Sequence, residues 1–170
     1  MKKQRKVLSL LMAVVMMLTS SGTVCAAVDA PHQDHCFCGG ELTLGEHTHH
    51  ETYQYQPWDG KSALPYVDNV AYVYLTADVS RTETLRVAGN KTLNLCLNGH
   101  TIRKTGGGRV INIVSGGKLR LCDCSAAQTG TITGGSHEMG GGIHNGGTLV
   151  MYGGKITGNQ GQYGGGLWNN

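Results

Sequence analysis

The sequence predicts an all-β parallel β-helix, a solenoid of about four coils with three short strands each, and three observations carry that prediction. First, two separate blocks repeat at one offset. Thr131-Ile132-Thr133-Gly134-Gly135 returns as Lys155-Ile156-Thr157-Gly158-Asn159, and Gly140-Gly141-Gly142-Ile143-His144-Asn145 as Gly164-Gly165-Gly166-Leu167-Trp168-Asn169, both after 24 residues. A fixed period of this length is the mark of a solenoid, whose coils bury a core only by stacking. Second, apolar residues alternate in short runs, as in Leu93, Leu95 and Leu97 or Ile111 and Ile113. That is the period of a half-buried strand. Third, 21 of the 27 glycines lie from Gly99 onward, which disfavours helix there.

Ahead of the repeats, residues 1–27 have the order of a secretory signal peptide. Lys2, Lys3, Arg5 and Lys6 make a basic start, residues 7–18 an apolar stretch, and Val24-Cys25-Ala26-Ala27 a small-residue cleavage region. The apolar stretch is too short to span a bilayer comfortably. The expected location is therefore secreted or cell-surface, with no stable membrane insertion after cleavage. Cleavage also changes the charge. The formal +3 falls to −1, with ten basic residues left against eleven acidic. That near-neutral balance removes support for nucleic-acid binding through a basic field.

Residues 28–60 form a separate Cys/His-rich segment. His32, His35, Cys36, Cys38, His47, His49 and His50 include five of the eight histidines. Imidazole and thiolate are preferred zinc donors. Cys36-Phe37-Cys38-Gly39-Gly40 suits a hairpin that aims two sulfurs at one ion. Cys36, Cys38, His47 and His49 are the candidate ligands of a structural zinc, with His50, His35 and His32 as alternates. The spacing is Cys-x-Cys rather than Cys-x₂-Cys, and an exported protein also has disulfides open to it. Both readings stand beside a third, in which these side chains are simply solvated.

The solenoid is placed at 61–170. Strand-like runs at 72–76 and 84–88 are expected to supply an incomplete first coil. The next coils read as 91–97, 101–104 and 110–114; then 118–121, 131–133 and 142–144; then 148–152, 155–157 and 166–168. Ile102, Ile132 and Ile156 should form one stacked column, and Leu93, Leu119 and Leu149 another. The polar stretch 125–130 reads as a bulging turn. Cys96 and Cys122 fall at matching repeat positions, so either a disulfide joins them or two thiols stack as small apolar groups. Tyr53, Tyr55 and Trp58 cluster before the solenoid. They either stack on sugar rings or seal the first coil.

Leu95-Cys96-Leu97-Asn98-Gly99-His100-Thr101-Ile102, with the later Ile-Thr-Gly-Gly and Gly-Gly-Gly-Ile-x-Asn blocks, resembles the pectin-lyase-like repeats of large exported bacterial surface (adhesin-like) proteins. The resemblance covers roughly residues 72–170 and implies a right-handed helix. It is specific for architecture and says little about activity, because such repeats occur in carbohydrate-active enzymes and in adhesin-like proteins. Members usually have more coils and a C-terminal cap. The sequence stops in mid-repeat, so a truncated C-terminus is expected, or else end-to-end association through the exposed last coil.

An enzyme of that resemblance would need clustered carboxylates, since glycosidic hydrolysis uses one protonated and one charged acid. From Gly89 onward only Asp123 and Glu138 are acidic, and 15 residues separate them. His100 and Arg103 therefore read as a solvated strand face and turn. The expected function is a non-catalytic secreted or cell-surface module for adhesion or carbohydrate binding, with a glycan or host-surface partner. The alternatives are an N-terminal fragment of a polysaccharide lyase or glycoside hydrolase whose active coils are missing, and a structural spacer.

Overall fold

The structure, a computed structural model, describes residues 34–38 and 50–170, with side chains from Gln54 onward. Strands β1 (Asp34–Cys38) and β2 (His50–Gln54) pair antiparallel. Strand β3 (Gln56–Trp58) then joins the edge of the solenoid.

Four complete turns follow. The first comprises β4 (Val70–Leu75), β5 (Val79–Arg81) and β6 (Leu85–Val87), and the second β7 (Thr92–Cys96), β8 (Thr101–Lys104) and β9 (Ile111–Ile113). The third comprises β10 (Lys118–Cys122), β11 (Thr131–Thr133) and β12 (Ile143–Asn145), and the fourth β13 (Thr148–Met151), β14 (Lys155–Ile156) and β15 (Leu167–Asn169). Equivalent strands stack in parallel into three sheets, ordered β13-β10-β7-β4-β3, β14-β11-β8-β5 and β15-β12-β9-β6. The described chain is thus an all-β solenoid of three strands per turn, as the repeats predict.

Both expected columns are in register: Leu93–Leu119–Leu149 and Ile102–Ile132–Ile156. The first turn is complete rather than partial. Its middle strand escaped the sequence because Val79 is the only apolar residue in Val-Ser-Arg, too short a run to show alternation. The sheet also begins before residue 61, since Gln56, Pro57 and Trp58 pair with Val73, Tyr74 and Leu75.

Strands of two to six residues have no stability alone, so the interior decides the fold. Leu93, Leu95, Leu97, Ile111, Ile113, Leu119, Leu121, Ile132 and Ile143 are wholly buried. Each contributes about 1.5–3 kcal/mol by leaving water. Trp58 plugs the first turn. Its indole Nε1 donates to Ser62 O at 3.0 Å, and the Arg81 guanidinium lies 5.9 Å above its ring while donating to Gly60 O.

The glycine triplets have a backbone cause. Gly140 and Gly164 share a left-handed φ of 67° and 62° at equivalent corners. A Cβ on Gly141 would lie 2.0 Å from Gln160 O of the next turn. The first glycine of the triplet permits the bend and the second the close approach.

Two buried charges hold the corners. The Asp123 carboxylate accepts from the backbone N–H groups of Gly99, Ser125 and Gly130, at 2.8, 3.1 and 2.6 Å. Lys104, 5% exposed, donates its ammonium to Thr82 O and Gly107 O, each at 2.7 Å.

Candidate functional site

Alternation leaves one face of each sheet outside, and register turns those outward residues into rows. On the third sheet Arg86 pairs with Asn112, Asn112 with His144, and His144 with Trp168. Their strand neighbours Leu85, Val87, Ile111, Ile113 and Ile143 are buried, so Arg86, Asn112 and His144 point outward, and pairing with His144 puts Trp168 on the same face. Successive rungs stand about 4.8 Å apart, which makes a straight polar row closed at one end by an indole. Tyr163 packs edge-on to Trp168, with centroids 6.1 Å apart. Arg109 and His137 flank the row, joined at 2.8 Å from Arg109 Nη2 to His137 Nδ1. Desolvation first, then the charges of Arg109 and His137, hold the His144 imidazole below its usual range. At neutral pH it is therefore uncharged; its Nδ1 is buried without a hydrogen-bond partner, which leaves Nε2 to meet a ligand.

The first sheet has a different outer face. Cys96 and Cys122 are paired in register, and Tyr74 continues their column. Tyr55 closes over both, forming a small buried cluster outside the main core with Tyr72, Tyr74 and Cys124 packed against it. The rings of Tyr55 and Tyr72 meet edge-on at 5.6 Å. Cys96, Cys122 and Cys124 are free thiols whose sulfurs all lie within 4.8 Å of one another, an arrangement able to hold a metal ion. Hydrogen bonds from the Cys122 and Cys124 thiols, aided by the backbone N–H groups of Cys124 and Asn98, hold the Cys96 thiol below its ordinary range. Cys122 moves up, because it donates within the cluster and is buried. The Tyr55 hydroxyl, buried against the three cysteines, is also pushed up, chiefly by burial.

The residues singled out from the sequence separate into groups. Cys36 and Cys38 lie two apart in β1, with Thr52 and His50 opposite them and Tyr53 opposite His35. His32, His47, His49 and the leader 1–27 lie outside the described residues. The sugar-stacking reading of Tyr55 and Trp58 is corrected: both are 3% exposed, so neither ring offers a face to a ligand. They seal instead. Cys96 and Cys122 are neighbours as their repeat positions require, but as unlinked thiols. His100 lies 3.5 Å from Asp78 at the surface, and Arg103 is exposed, consistent with a solvated face. Asp123 uses both carboxylate oxygens on turn N–H groups. In the last turn Leu149 and Ile156 are half-buried and Leu167 is 42% exposed.

Sequence reasoning missed the outward row and the role of Cys124. A row needs the length of every corner loop to be known. The one available signal for the thiol site was Cys124 standing two residues after a cysteine already aligned with Cys96.

The chain matches no protein-family model, no curated protein and no solved structure. Among the described residues no helix is long and apolar enough to cross a membrane.

Proposed function

We propose that the chain is a non-catalytic, secreted or cell-surface β-helix module that binds an extended glycan along the row Arg86–Asn112–His144–Trp168. The observation that carries this reading is the register pairing of those four side chains. Guanidinium, amide and neutral imidazole supply hydrogen-bond donors and acceptors at a regular step, the pattern that sugar hydroxyls require. The indole and the phenol ring of Tyr163, 48% exposed, supply an apolar end against which a sugar face can pack. Arg86 and Arg109 favour a chain that carries carboxylate or sulfate groups. The signal-like leader agrees with an external location.

Binding to acidic and neutral oligosaccharides on an array tests this. Retention of acidic oligosaccharides, lost in an Arg86→Ala/Trp168→Ala variant whose circular dichroism is unchanged, is the expected result. No retention by the folded wild-type chain would leave a structural spacer as the better description.

The proposed structural zinc belongs to the Cys/His-rich segment. His50, one of the alternates to His47 and His49, pairs with Cys38 in the register of β1 and β2. Equal zinc content in the wild type and a Cys36→Ser/Cys38→Ser variant would remove that site.

A further inference from the structure

We propose a second, independent metal site on the outer face of the first sheet, where Cys96, Cys122 and Cys124 bind one soft, thiophilic d¹⁰ cation, zinc(II) or copper(I). Three cysteines from two adjacent turns converge there. Cys96 ends β7 and Cys122 ends β10, and their register places them side by side. Cys124 follows after one residue, at the start of the corner that Asp123 fixes through Gly99, Ser125 and Gly130. The corner is therefore rigid where the third sulfur is attached.

The geometry is near what an ion needs. Bonds of about 2.3 Å at tetrahedral angles hold sulfurs about 3.8 Å apart. The three sulfurs already lie within 4.8 Å of one another, so small χ1 rotations complete the approach. The site has a wall and a door. Cys96 is wholly buried and Cys122 is 3% exposed beneath Tyr55, whereas Cys124 is half-buried at the rim. The Cys124 backbone N–H donates to Cys96 Sγ at 3.4 Å, the type of contact that steadies a thiolate ligand. Thiolate is what soft cations select. A bound cation takes the place of the thiol protons. Binding releases those protons, and a water molecule entering past Cys124 completes a fourth position on zinc. No change of oxidation state is involved.

The test uses the full chain with Cys25→Ser, Cys36→Ser and Cys38→Ser, in which Cys96, Cys122 and Cys124 are the remaining cysteines. Cadmium(II) is added as a spectroscopic stand-in for zinc, and copper(I) in a parallel arm. One equivalent of either ion should saturate the ultraviolet thiolate-to-metal absorption. A further Cys124→Ser change at the half-exposed rim should weaken binding at least tenfold with unchanged circular dichroism. Alkylation by iodoacetamide, followed by mass spectrometry, gives a readout that needs no change within the cluster. Cys124 should be modified readily in metal-free protein and protected by one equivalent of metal. No metal-dependent absorption, labelling of Cys124 that metal does not alter, or a Cys96–Cys122 disulfide in the freshly purified protein would each overturn the proposal.

Discussion

The Asp123 carboxylate and the Gly130 N–H meet at 2.6 Å across the base of the loop between β10 and β11. The same carboxylate holds Gly99 of the preceding turn, so one side chain ties a loop to itself and two rungs to each other. Asp123→Ala leaves three backbone donors without their acceptor. A hydrogen bond to a charged group is worth about 1.5–3 kcal/mol, so a loss of at least about 3 kcal/mol is expected. It should appear as a lower urea midpoint at unchanged slope.

Lys104→Met keeps an unbranched, flexible stem and removes the ammonium that donates to Thr82 O and Gly107 O. The apolar end of Met does not replace two charge-assisted bonds. The expected destabilisation is about 2 kcal/mol. Lys104→Arg should not rescue fully, because a planar guanidinium presents its donors in a fixed fork rather than as the compact ammonium that Thr82 O and Gly107 O accept from.

The isoleucine column gives an internal control. Ile132 is wholly buried in the third turn, while Ile156, one rung further, is half-buried. Ile132→Ala should cost about 2–5 kcal/mol through lost burial and the cavity left behind. Ile156→Ala should cost clearly less. Equal effects in chemical denaturation would mean that the two positions are buried alike in solution.

Asp59 caps the turn after β3 by accepting from the N–H groups of Lys61 and Ser62 and from the Ser62 hydroxyl, at 2.8, 2.7 and 2.8 Å. The Ser62 N–H, then that of Lys61, lowers its carboxyl from the ordinary 3.8 to about 2. Its contribution is therefore complete above pH 4 and is lost as pH falls through 2. Carbon-detected NMR of the Asp59 carboxyl should titrate with a midpoint near 2, and a midpoint near 4 would mean that the turn does not hold in solution.

His144 should be uncharged at neutral pH, and its NMR midpoint should lie below that of a free histidine. A folded-state value below the unfolded one means that the unfolded chain takes up the proton first. Stability should thus fall as pH drops through the ordinary histidine range near 6.5 and below. Arg109→Gln should raise the His144 midpoint modestly, since desolvation is the larger cause and the Arg109 charge comes second.

The sequence by itself determined the rungs. The 24-residue repeat of the last two turns, alternation in Leu93–Leu95–Leu97 and glycines at the corners indicated which side chains stack, because a one-residue slip would turn a strand's buried face outward. Val79–Arg81 was illegible because three residues with one apolar member carry no period. Tertiary structure alone decided what shares a surface. Arg86, Asn112, His144 and Trp168 are separated by 26, 32 and 24 residues, so no single offset reveals their row. Tyr55 reaches the cysteines only because β3 lies against β4 and the first sheet brings β7 and β10 alongside. Lateral neighbours depend on corner lengths and on what covers the outer face, and local pattern encodes neither.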